Sequence, residues 1–564
     1  MKKIQLFSIV LFSLISLFLT GCDDGKTLPD INEGIFMDSP VEGLYYLTAS
    51  LSGKTDAKGV FNYYDTDKTI SFYIGKPQDQ GVFIGVTTVK SKITLLDLSD
   101  TEHDVLDNEV TNMSRFFQSL DSDNNPNNGI SIPSKVESVI KGKVVDFDTD
   151  PATFEKSVKK IFNELNTAKV FAQSRELKTP AQARRHLRES LGFTVDSATA
   201  QKLQGAMDKV LTKYPWPGIV MGVRFPDGKT WFGSKGIADI AANTPMTIDY
   251  KLRIGSVTKT FTATAILLLA QDGLLNLDDP VEKYLPGILG QYPYHDQITI
   301  RQLLNHTSGL DTYWHLSQDP DSFYAQEYYG DWTQEWDPRT LIEETIKKPP
   351  LFAPGTKWAY SNTGAILNAM VIEKITGKTY ETVLTERLID PLGLSNTLLP
   401  GNETIPPSYA HGYLDFTNLN GVYDPADDVT FMNPSFAWAS GAIVTSIEDL
   451  LRWCTELNDG GLLNPYYQNE RTKNMVNMLP DGSAKSGIGI MLVKGAMGHN
   501  GDIFGFQATV QRYKGVDFAV ITNAQGLFNP EKQDIVMVSE DPSTGNIAYV
   551  TFLQAIQDLG LTSQ

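Results

Sequence analysis

The chain contains 564 residues, of which 48 are Lys or Arg and 67 are Asp or Glu, so its formal net charge is −19. A hydrophobic content of 41% is ordinary for a globular protein and excludes collagen-like, coiled-coil and wholly disordered chains. The length favours more than one domain, the acidic balance disfavours nucleic-acid binding, and two cysteines cannot build a disulfide framework.

The amino-terminal segment has the pattern of an export signal. Lys2 and Lys3 precede an apolar stretch over residues 4–19, which is short and weakly flanked for a membrane-spanning helix. The sequence LTGC at 19–22 resembles a bacterial lipobox. This resemblance implies that residues 1–21 are a signal peptide and that Cys22 carries lipid, which would anchor an exported protein to the inner or outer membrane of the cell envelope. The alternative is an ordinary secretory signal in which Cys22 is incidental.

Residues 22–172 are predicted to form a β-rich module with some helix. Short alternating apolar runs separated by turn signals predict strands at 60–64, 70–74 and 82–86. Apolar spacing with charged faces predicts helices at 109–120 and 151–175. A polar and basic stretch follows, and we interpret residues 173–195 as a connector to a second domain at 196–564.

One loop of this module offers oxygen ligands at alternate positions. Residues 121–129, with the sequence DSDNNPNNG, would suit a calcium loop by composition. Pro126 stands where an EF-hand requires glycine, and position twelve is Ile132 instead of glutamate. A solvated turn rich in Asp and Asn is therefore favoured over calcium binding.

The second half begins with elements that lead to a candidate nucleophile. A helix is predicted near 197–213, followed by a hairpin with strands at 218–223 and 229–233. Ser256 and Lys259 then stand three residues apart, before an apolar helical run, so they share one helix face. A serine hydroxyl needs a basic group within hydrogen-bond reach, and a partly desolvated amine can be neutral enough to accept its proton. A helix cap followed by a surface lysine would give the same spacing.

Two further motifs follow along the chain. Tyr360 and Asn362, in the sequence YSN, open a predicted helix over 365–375. His499 and Gly501, in the sequence HNG, precede two predicted strands, at 506–513 and 518–521.

Taken together, these motifs resemble those of the serine β-lactamase and penicillin-recognising superfamily, where S-x-x-K, Y-x-N and K/H-x-G occur in this order. The resemblance is strongest to the class C branch with the soluble DD-peptidases and related esterases, and it covers about residues 196–564. Other stretches also match, namely LLNHTSGL at 303–310, GLLNLDD at 273–279, ASG at 439–441 and EDL at 448–450. The implied fold is α+β, with an antiparallel sheet flanked by helices, a helical subdomain at about 265–440, and Ser256 in the cleft between them. No metal or organic cofactor is implied.

The resemblance implies a role for each residue of the first two motifs. Ser256 would attack a substrate carbonyl and form an acyl-enzyme. Lys259 and Tyr360 would act as general base and general acid, and which of them takes the first proton stays open. Asn362 would orient Lys259 and bind the substrate amide.

The third motif completes the implied site. His499 would bind a substrate carboxylate or steer the Tyr360 proton, and Gly501 would let the strand approach the substrate closely. The backbone N–H groups of Ser256 and Asp502 would form the oxyanion hole. Relatives that bind β-lactams well often carry Thr or Ser near Asn500 and Asp502 to hold a substrate carboxylate. This chain has Asn and Asp at these positions. That difference favours an esterase-like activity, unless the Asp502 side chain points away from the site.

Several other residues are expected to be structural. His306 belongs to the HTSGL segment, and the remaining histidines show no spacing typical of a zinc site. Cys454 lies in an apolar helical pattern and is predicted to be a buried thiol. The aromatic residues between 313 and 336 are expected to border the cleft and shape the substrate pocket.

The sequence leaves three candidate functions for this chain. The leading one is an envelope-anchored serine hydrolase with D-alanyl-D-alanine carboxypeptidase-like, penicillin-binding activity on cell-wall peptides. The second is the same chemistry in a β-lactamase, a carboxylesterase or a D-amino-acid peptidase. The third, a non-catalytic wall-binding lipoprotein, is disfavoured by the complete motif set. The expected partners are a small peptide, β-lactam or ester substrate and a membrane, with local positive charge supplied by Lys259 and His499; the oligomeric state stays open.

Overall fold

The computed structural model describes residues 30–99, 104–314, 332–401, 405–415, 422–525 and 546–562, together with the backbone of 527–529 and 534–536. The predicted signal segment and Cys22 lie outside these ranges, as does most of the aromatic segment, residues 315–331. In the described part of the chain, no helix is long and apolar enough to cross a membrane.

The amino-terminal region is built on two small sheets. Its strands are β1 Ile31–Met37, β2 Val41–Glu42, β3 Leu44–Leu47, β4 Ser52–Lys54, β5 Val60–Tyr64, β6 Thr69–Ile74, β7 Val82–Thr88, β8 Lys92–Thr94 and β9 Ile130–Ser131. One sheet has the order β5-β1-β8 and the other β4-β3-β6-β7, while β2 pairs with β9. The three predicted strands are confirmed as β5, β6 and β7.

Four helices pack around these sheets: α1 Asn108–Leu120, α2 Ser134–Ile140, α3 Pro151–Thr167 and α4 Pro180–Leu191. The helix predicted at 109–120 is confirmed, but the prediction of helix to 175 was wrong. The chain leaves α3 after Thr167, because Lys169 adopts a φ of +48° and the Asn166 side chain bonds the backbone of Arg175. Helix α4 lies within the predicted connector and buries Leu187 in the core of this region.

The loop at 121–129 has the geometry of an Asx-rich turn. The Asp121 carboxylate accepts from the backbone N–H groups of Asn125 at 2.8 Å and Ser131 at 3.0 Å. Asp123 accepts from the Asn125 backbone N–H and from the Asn128 side chain, both at 2.9 Å. These bonds use the carboxylates inside the loop itself.

A nine-stranded antiparallel sheet organises the second region. The strands of this region are β10 Gly218–Arg224, β11 Thr230–Asp239, β12 Thr244–Pro245, β13 Lys251–Arg253, β14 Tyr413–Leu414, β15 Val444–Ser446, β16 Val476–Asn477, β17 Ala484–Ser486, β18 Met491–Val493, β19 Ala496–Ile503, β20 Phe506–Tyr513, β21 Val516–Thr522, β22 Ala524–Gln525, β23 Leu527–Asn529 and β24 Asp534–Val536. The sheet order is β12-β11-β10-β21-β20-β19-β18-β17-β16. Strands from both ends of the region therefore meet in one sheet, as the resemblance implies.

Helices cover both faces of this sheet. They are α5 Ser197–Lys213, α6 Thr258–Gln271, α7 Ile300–Leu304, α8 Pro338–Ile346, α9 Thr363–Thr376, α10 Tyr380–Leu384, α11 Asp390–Leu392, α12 Ile447–Asp459, α13 Pro465–Lys473 and α14 Ile547–Asp558. Helices α5 and α14 share a core with one face, and α12 packs on the other. The helices α6 to α11 form the expected helical group, so the α+β fold is confirmed. Cys454 is buried in α12.

A buried ion pair joins the two regions. Arg188 of α4 and Glu448 at the start of α12 form a salt bridge in which both side chains are less than a tenth exposed. Arg185 of α4 bonds the same carboxylate at 3.1 Å. Because α12 follows the strand that leads out of the ASG segment, this pair links α4 to that part of the second region.

We expect Glu448→Gln to destabilise the protein by about 3 kcal/mol, since removing one partner leaves a buried guanidinium without its counter-charge. The measurement is the midpoint of unfolding in urea. Asp272→Asn is the matched control, because its pair with Arg387 is more than a third exposed on both sides, and such pairs contribute about 1 kcal/mol or less. Equal shifts for the two variants would contradict the expectation.

Candidate active site

The nucleophile candidate lies where a short 3₁₀ turn enters α6. Ser256 is within the turn Gly255–Val257, and Lys259 lies one turn further along. Residues 258–270 of the helix are buried on all sides, and this packing holds the start of α6 in place. The Nζ atom of Lys259 lies 3.0 Å from the Oγ atom of Ser256, so the predicted pair is formed.

Lys259 is buried and its amine is shared between two acceptors. Its side chain donates to Ser256 and, at 2.6 Å, to the backbone carbonyl of Ser440, and only 4% of the residue is exposed. Burial lowers the pKa of Lys259 well below its usual range, because the charged ammonium loses its hydration. A neutral amine beside a serine hydroxyl can accept its proton.

Tyr360 completes the group around the nucleophile. Its phenol interacts with the Ser256 side chain, and the Lys259 amine lies 4.9 Å from the centre of its ring. Burial raises the pKa of the Tyr360 phenol above its usual value, an effect that the Asp502 carboxylate reinforces. The phenol therefore stays protonated at neutral pH and is placed to donate.

Two glycines bring strand β19 against the nucleophile. A Cβ atom on Gly501 would lie 1.9 Å from the carbonyl oxygen of Ile254, and one on Gly255 would lie 2.6 Å from backbone atoms of Asp502. Gly255 also has a φ of +51°, a conformation that glycine adopts without strain. No larger residue fits at either position, so the backbone of Asp502 lies directly beside the Ser256 turn.

The two histidines near the site are both buried. His499 lies with its ring 6.3 Å from that of Tyr360, and its Nδ1 faces the carbonyl of Asn500 at 2.5 Å. Burial, together with the nearby Lys259, lowers the pKa of His499 to about 4. The His306 ring packs against that of Tyr360 in a tilted arrangement, with centroids 4.5 Å apart, and accepts from the backbone N–H of Ser361, which supports its predicted structural role. Burial therefore disfavours the charged form of both groups from which the sequence predicted a cationic site.

Asn362 presents an open hydrogen-bond acceptor at the cleft. Its Oδ1 atom is buried and bonds no residue in the described part of the chain. The sequence predicted that Asn362 orients Lys259, but in the structure the Ser440 carbonyl accepts from that amine. The free Oδ1 is left to accept an N–H from a bound substrate.

The Asp502 side chain points away from the nucleophile. Its carboxylate accepts from the side-chain amides of Gln507 at 2.7 Å and Asn546 at 3.1 Å. Asn500, two residues earlier and so on the same face of the strand, accepts from Thr509 at 2.7 Å. Neither side chain is therefore directed at a substrate, which answers the question that the sequence left open for these positions.

The cleft beside Ser256 has an aromatic wall. Its volume is about 150 Å³, and its described lining includes Trp314, Phe436, Phe504, Asn362 and Asp502. The rings of Trp314 and Phe436 lie 4.4 Å apart, and those of Trp314 and Phe504 lie 5.2 Å apart. Trp314 thus takes the cleft-lining position predicted for it, while Tyr324, Tyr328 and Tyr329 of the same segment lie outside the described residues.

Comparison with known proteins agrees with this geometry. The beta-lactamase family model matches residues 201–538, which is more than half of the chain. The chain belongs to the beta-lactamase family. Among solved structures, a D-stereospecific amidohydrolase from a Streptomyces species is similar at 34% identity and a TM-score of 0.51, over 58% of this chain and 94% of that protein.

The names of curated relatives in the family indicate several different activities. Penicillin-binding protein 4* of Bacillus subtilis (strain 168) is 31% identical over 38% of this chain and 45% of that protein. Esterase EstB of Burkholderia gladioli is 32% identical over 36% of this chain and 52% of that protein. The chain spans about half the length of the curated relatives it matches.

One element of this beta-lactamase-family site was missed by the sequence analysis. The ASG segment at 439–441 was noted as a supporting match, but the Ser440 carbonyl was given no role. No side chain signals this contact, since the acceptor is a backbone atom whose direction depends on the turn at Trp438–Ser440.

Proposed function

We propose that this chain is a serine hydrolase that works through an acyl-enzyme on Ser256. The observation that carries the proposal is the buried Lys259 amine, 3.0 Å from the Ser256 hydroxyl oxygen, with the Tyr360 phenol beside the same serine. Lys259 takes the first proton, because burial favours its neutral form, whereas the phenol of Tyr360 is protonated and cannot accept.

The remaining groups then act in sequence. The Ser256 oxygen bonds the substrate carbonyl carbon, and the carbonyl oxygen becomes an oxyanion that the N–H groups of Ser256 and Asp502 stabilise. Each such donor is worth about 2.7–4 kcal/mol. Tyr360 donates its proton to the leaving group and regains one from the Lys259 ammonium. Water attacks the acyl-enzyme in the same way and releases the acid, which restores Ser256.

The charge of the cleft favours substrates that lack a carboxylate beside the scissile bond. The described residues that line it include no cationic side chain, and burial lowers the pKa of both Lys259 and His499, which disfavours their charged forms. An ester or amide substrate therefore fits better than a D-alanyl-D-alanine terminus, the leading class predicted from sequence. The names of the similar esterase and D-stereospecific amidohydrolase support this choice.

A matched pair of substrates tests this choice. N-acetyl-D-alanyl-D-alanine and its terminal carboxamide differ only in the negative charge. We expect kcat/KM to be at least about tenfold higher for the carboxamide, because an anion would enter without a counter-charge. A preference for the free carboxylate would instead support the carboxypeptidase function. If neither these compounds nor p-nitrophenyl acetate is turned over, and no acyl-enzyme mass is found, the hydrolase proposal is wrong.

The activity should depend on pH through Lys259. Since burial lowers the pKa of this amine, kcat/KM for p-nitrophenyl acetate should rise with pH through one ionisation well below 10.5 and then stay level as the phenol of Tyr360 remains protonated. The protonated amine prevails below that pKa and cannot act as the base, which gives the acid limb. A profile that rises only near the ordinary lysine value would contradict this assignment.

We also propose that the chain is exported and held at the cell envelope by lipid on Cys22. The support is the LTGC sequence at 19–22 after an apolar stretch. Growth of the producing cells with a radioactive fatty acid tests this proposal, and label should enter the wild-type chain but not Cys22→Ser. Equal labelling of both chains, or of neither, would show that Cys22 carries no lipid.

A further inference from the structure

A buried polar cluster lies behind strand β19, on the side away from the cleft. It consists of Asp502, Gln507 of β20 and Asn546, the residue that caps α14. Gln507 is fully buried and Asn546 is 1% exposed. Asn546 Nδ2 donates to the carbonyl oxygen of Gly501 at 2.9 Å and to the Asp502 carboxylate at 3.1 Å. One side-chain amide therefore holds both the backbone and the side chain of the segment that faces Ser256.

The bond to the Gly501 carbonyl fixes a complete peptide unit. That carbonyl belongs to the same planar group as the N–H of Asp502, and in a trans peptide the two point in opposite directions. With the oxygen held from behind by Asn546, the N–H is directed towards the other side. The Asp502 backbone lies there against Gly255, next to the nucleophile.

The rest of the cluster holds Asn546 in place. Gln507 donates to Asp502 at 2.7 Å, and its Oε1 accepts from the backbone N–H of Ile547 at 2.7 Å. The Oδ1 atom of Asn546 accepts from the N–H of Tyr549 at 2.9 Å, which caps α14. Capping thus uses the oxygen of this side chain, whereas the contact with the peptide uses its nitrogen, so the two roles can be separated by substitution.

We propose that Asn546 is a positioning residue, which holds the Gly501–Asp502 peptide so that the Asp502 N–H points at the oxyanion of the reacting substrate. This inference rests on the proposed acyl-enzyme mechanism. Asn546 bonds the one peptide that must keep its orientation when negative charge develops, and Asp502 and Gln507 hold the Asn546 segment in place. A donor held in advance stabilises that charge without reorganising during the reaction.

The test uses Asn546→Ser, because serine is as good a helix cap as asparagine but is too short to reach the Gly501 carbonyl. We expect kcat for p-nitrophenyl acetate to fall by about 10- to 100-fold with little change in KM, a part of the 10²–10³-fold cost of losing one oxyanion donor. Asn464→Ser is the matched control, since Asn464 caps α13 in the same way, at 3.0 Å from the N–H of Tyr467, and lies outside the site.

A vibrational measurement distinguishes positioning from a loss of packing. The carbonyl stretch of the acyl-enzyme, read as the infrared difference between p-nitrophenyl [1-¹³C]acetate and the unlabelled ester, should move to higher wavenumber in Asn546→Ser, because its oxygen is more weakly hydrogen-bonded. Asn546→Asp, which keeps the cap but lacks the amide donor, should show the same shift. An unchanged frequency and kcat in either folded variant would overturn the inference. A wild-type enzyme that forms no acyl-enzyme would instead refute the proposed function itself, and this inference with it.

Discussion

Ser256→Ala is expected to reduce kcat/KM for p-nitrophenyl acetate on the order of 10⁵-fold or more, as for nucleophile removal in other serine hydrolases. The Ser256 hydroxyl is the one that both Lys259 and Tyr360 contact, so no neighbouring group can replace it. Residual turnover would come from the oxyanion hole and substrate binding alone. Initial rates over a wide range of enzyme concentration measure the loss.

Ser440→Ala is the matched control for this substitution. Its hydroxyl bonds Ala437 and Tyr313, whereas only its backbone carbonyl, which alanine retains, contacts Lys259. The expected loss is less than about tenfold, in line with the net value of about 1 kcal/mol for one hydrogen bond. If Ser256→Ala kept the activity of this control, another residue would be the nucleophile. Intact-mass spectrometry of the acylated wild type should accordingly place the acyl group on Ser256.

Lys259→Met is expected to lower kcat/KM by about 10²–10⁴-fold, the usual contribution of a positioned general base. Methionine is unbranched and apolar, and it suits a site where the lysine is 4% exposed. The midpoint of urea unfolding should therefore stay equal or rise, since the substitution removes a group whose charged form is costly to bury. Rapid-mixing measurements of the p-nitrophenol burst would assign the loss to acylation.

Lys259→Arg separates the base from the positive charge. A guanidinium keeps its proton at any pH used for the assay, so it cannot accept the proton of Ser256. We expect this variant to be as inactive as Lys259→Met, although it restores a cation to the cleft. Substantial activity in Lys259→Arg would mean that the side chain serves as a charge near the substrate and that Tyr360 is the first base.

The local elements of the second region were predictable because each has its own pattern. The hairpin at 218–223 and 229–233 is confirmed in β10 and β11, and the helix near 197–213 is α5. In the amino-terminal region, the helix predicted at 151–175 ends earlier, at Thr167, and the reason is different. Its apolar spacing continued beyond Thr167, but Lys169 adopts a φ of +48° and the Asn166 side chain bonds the backbone of Arg175, which ends the helix.

The sequence by itself determined the chemical groups of the site. Ser256, Lys259, Tyr360 and His499 could be selected because their spacings recur with one chemistry, and the structure brings them around one cleft. A motif records residue types and intervals, and these suffice for the nucleophile and its proton carriers. They do not record how deeply a group is buried or which way a backbone atom points.

Only the tertiary structure decided the electrostatics and orientation of these groups. Lys259 and His499 are cations in a sequence-based account, but burial by distant segments lowers the pKa of both. Asp502 could have faced the substrate, but Gln507 and Asn546 hold it behind the strand. Desolvation and hydrogen-bond direction arise from segments that lie far apart along the chain, which is why no local pattern encodes them.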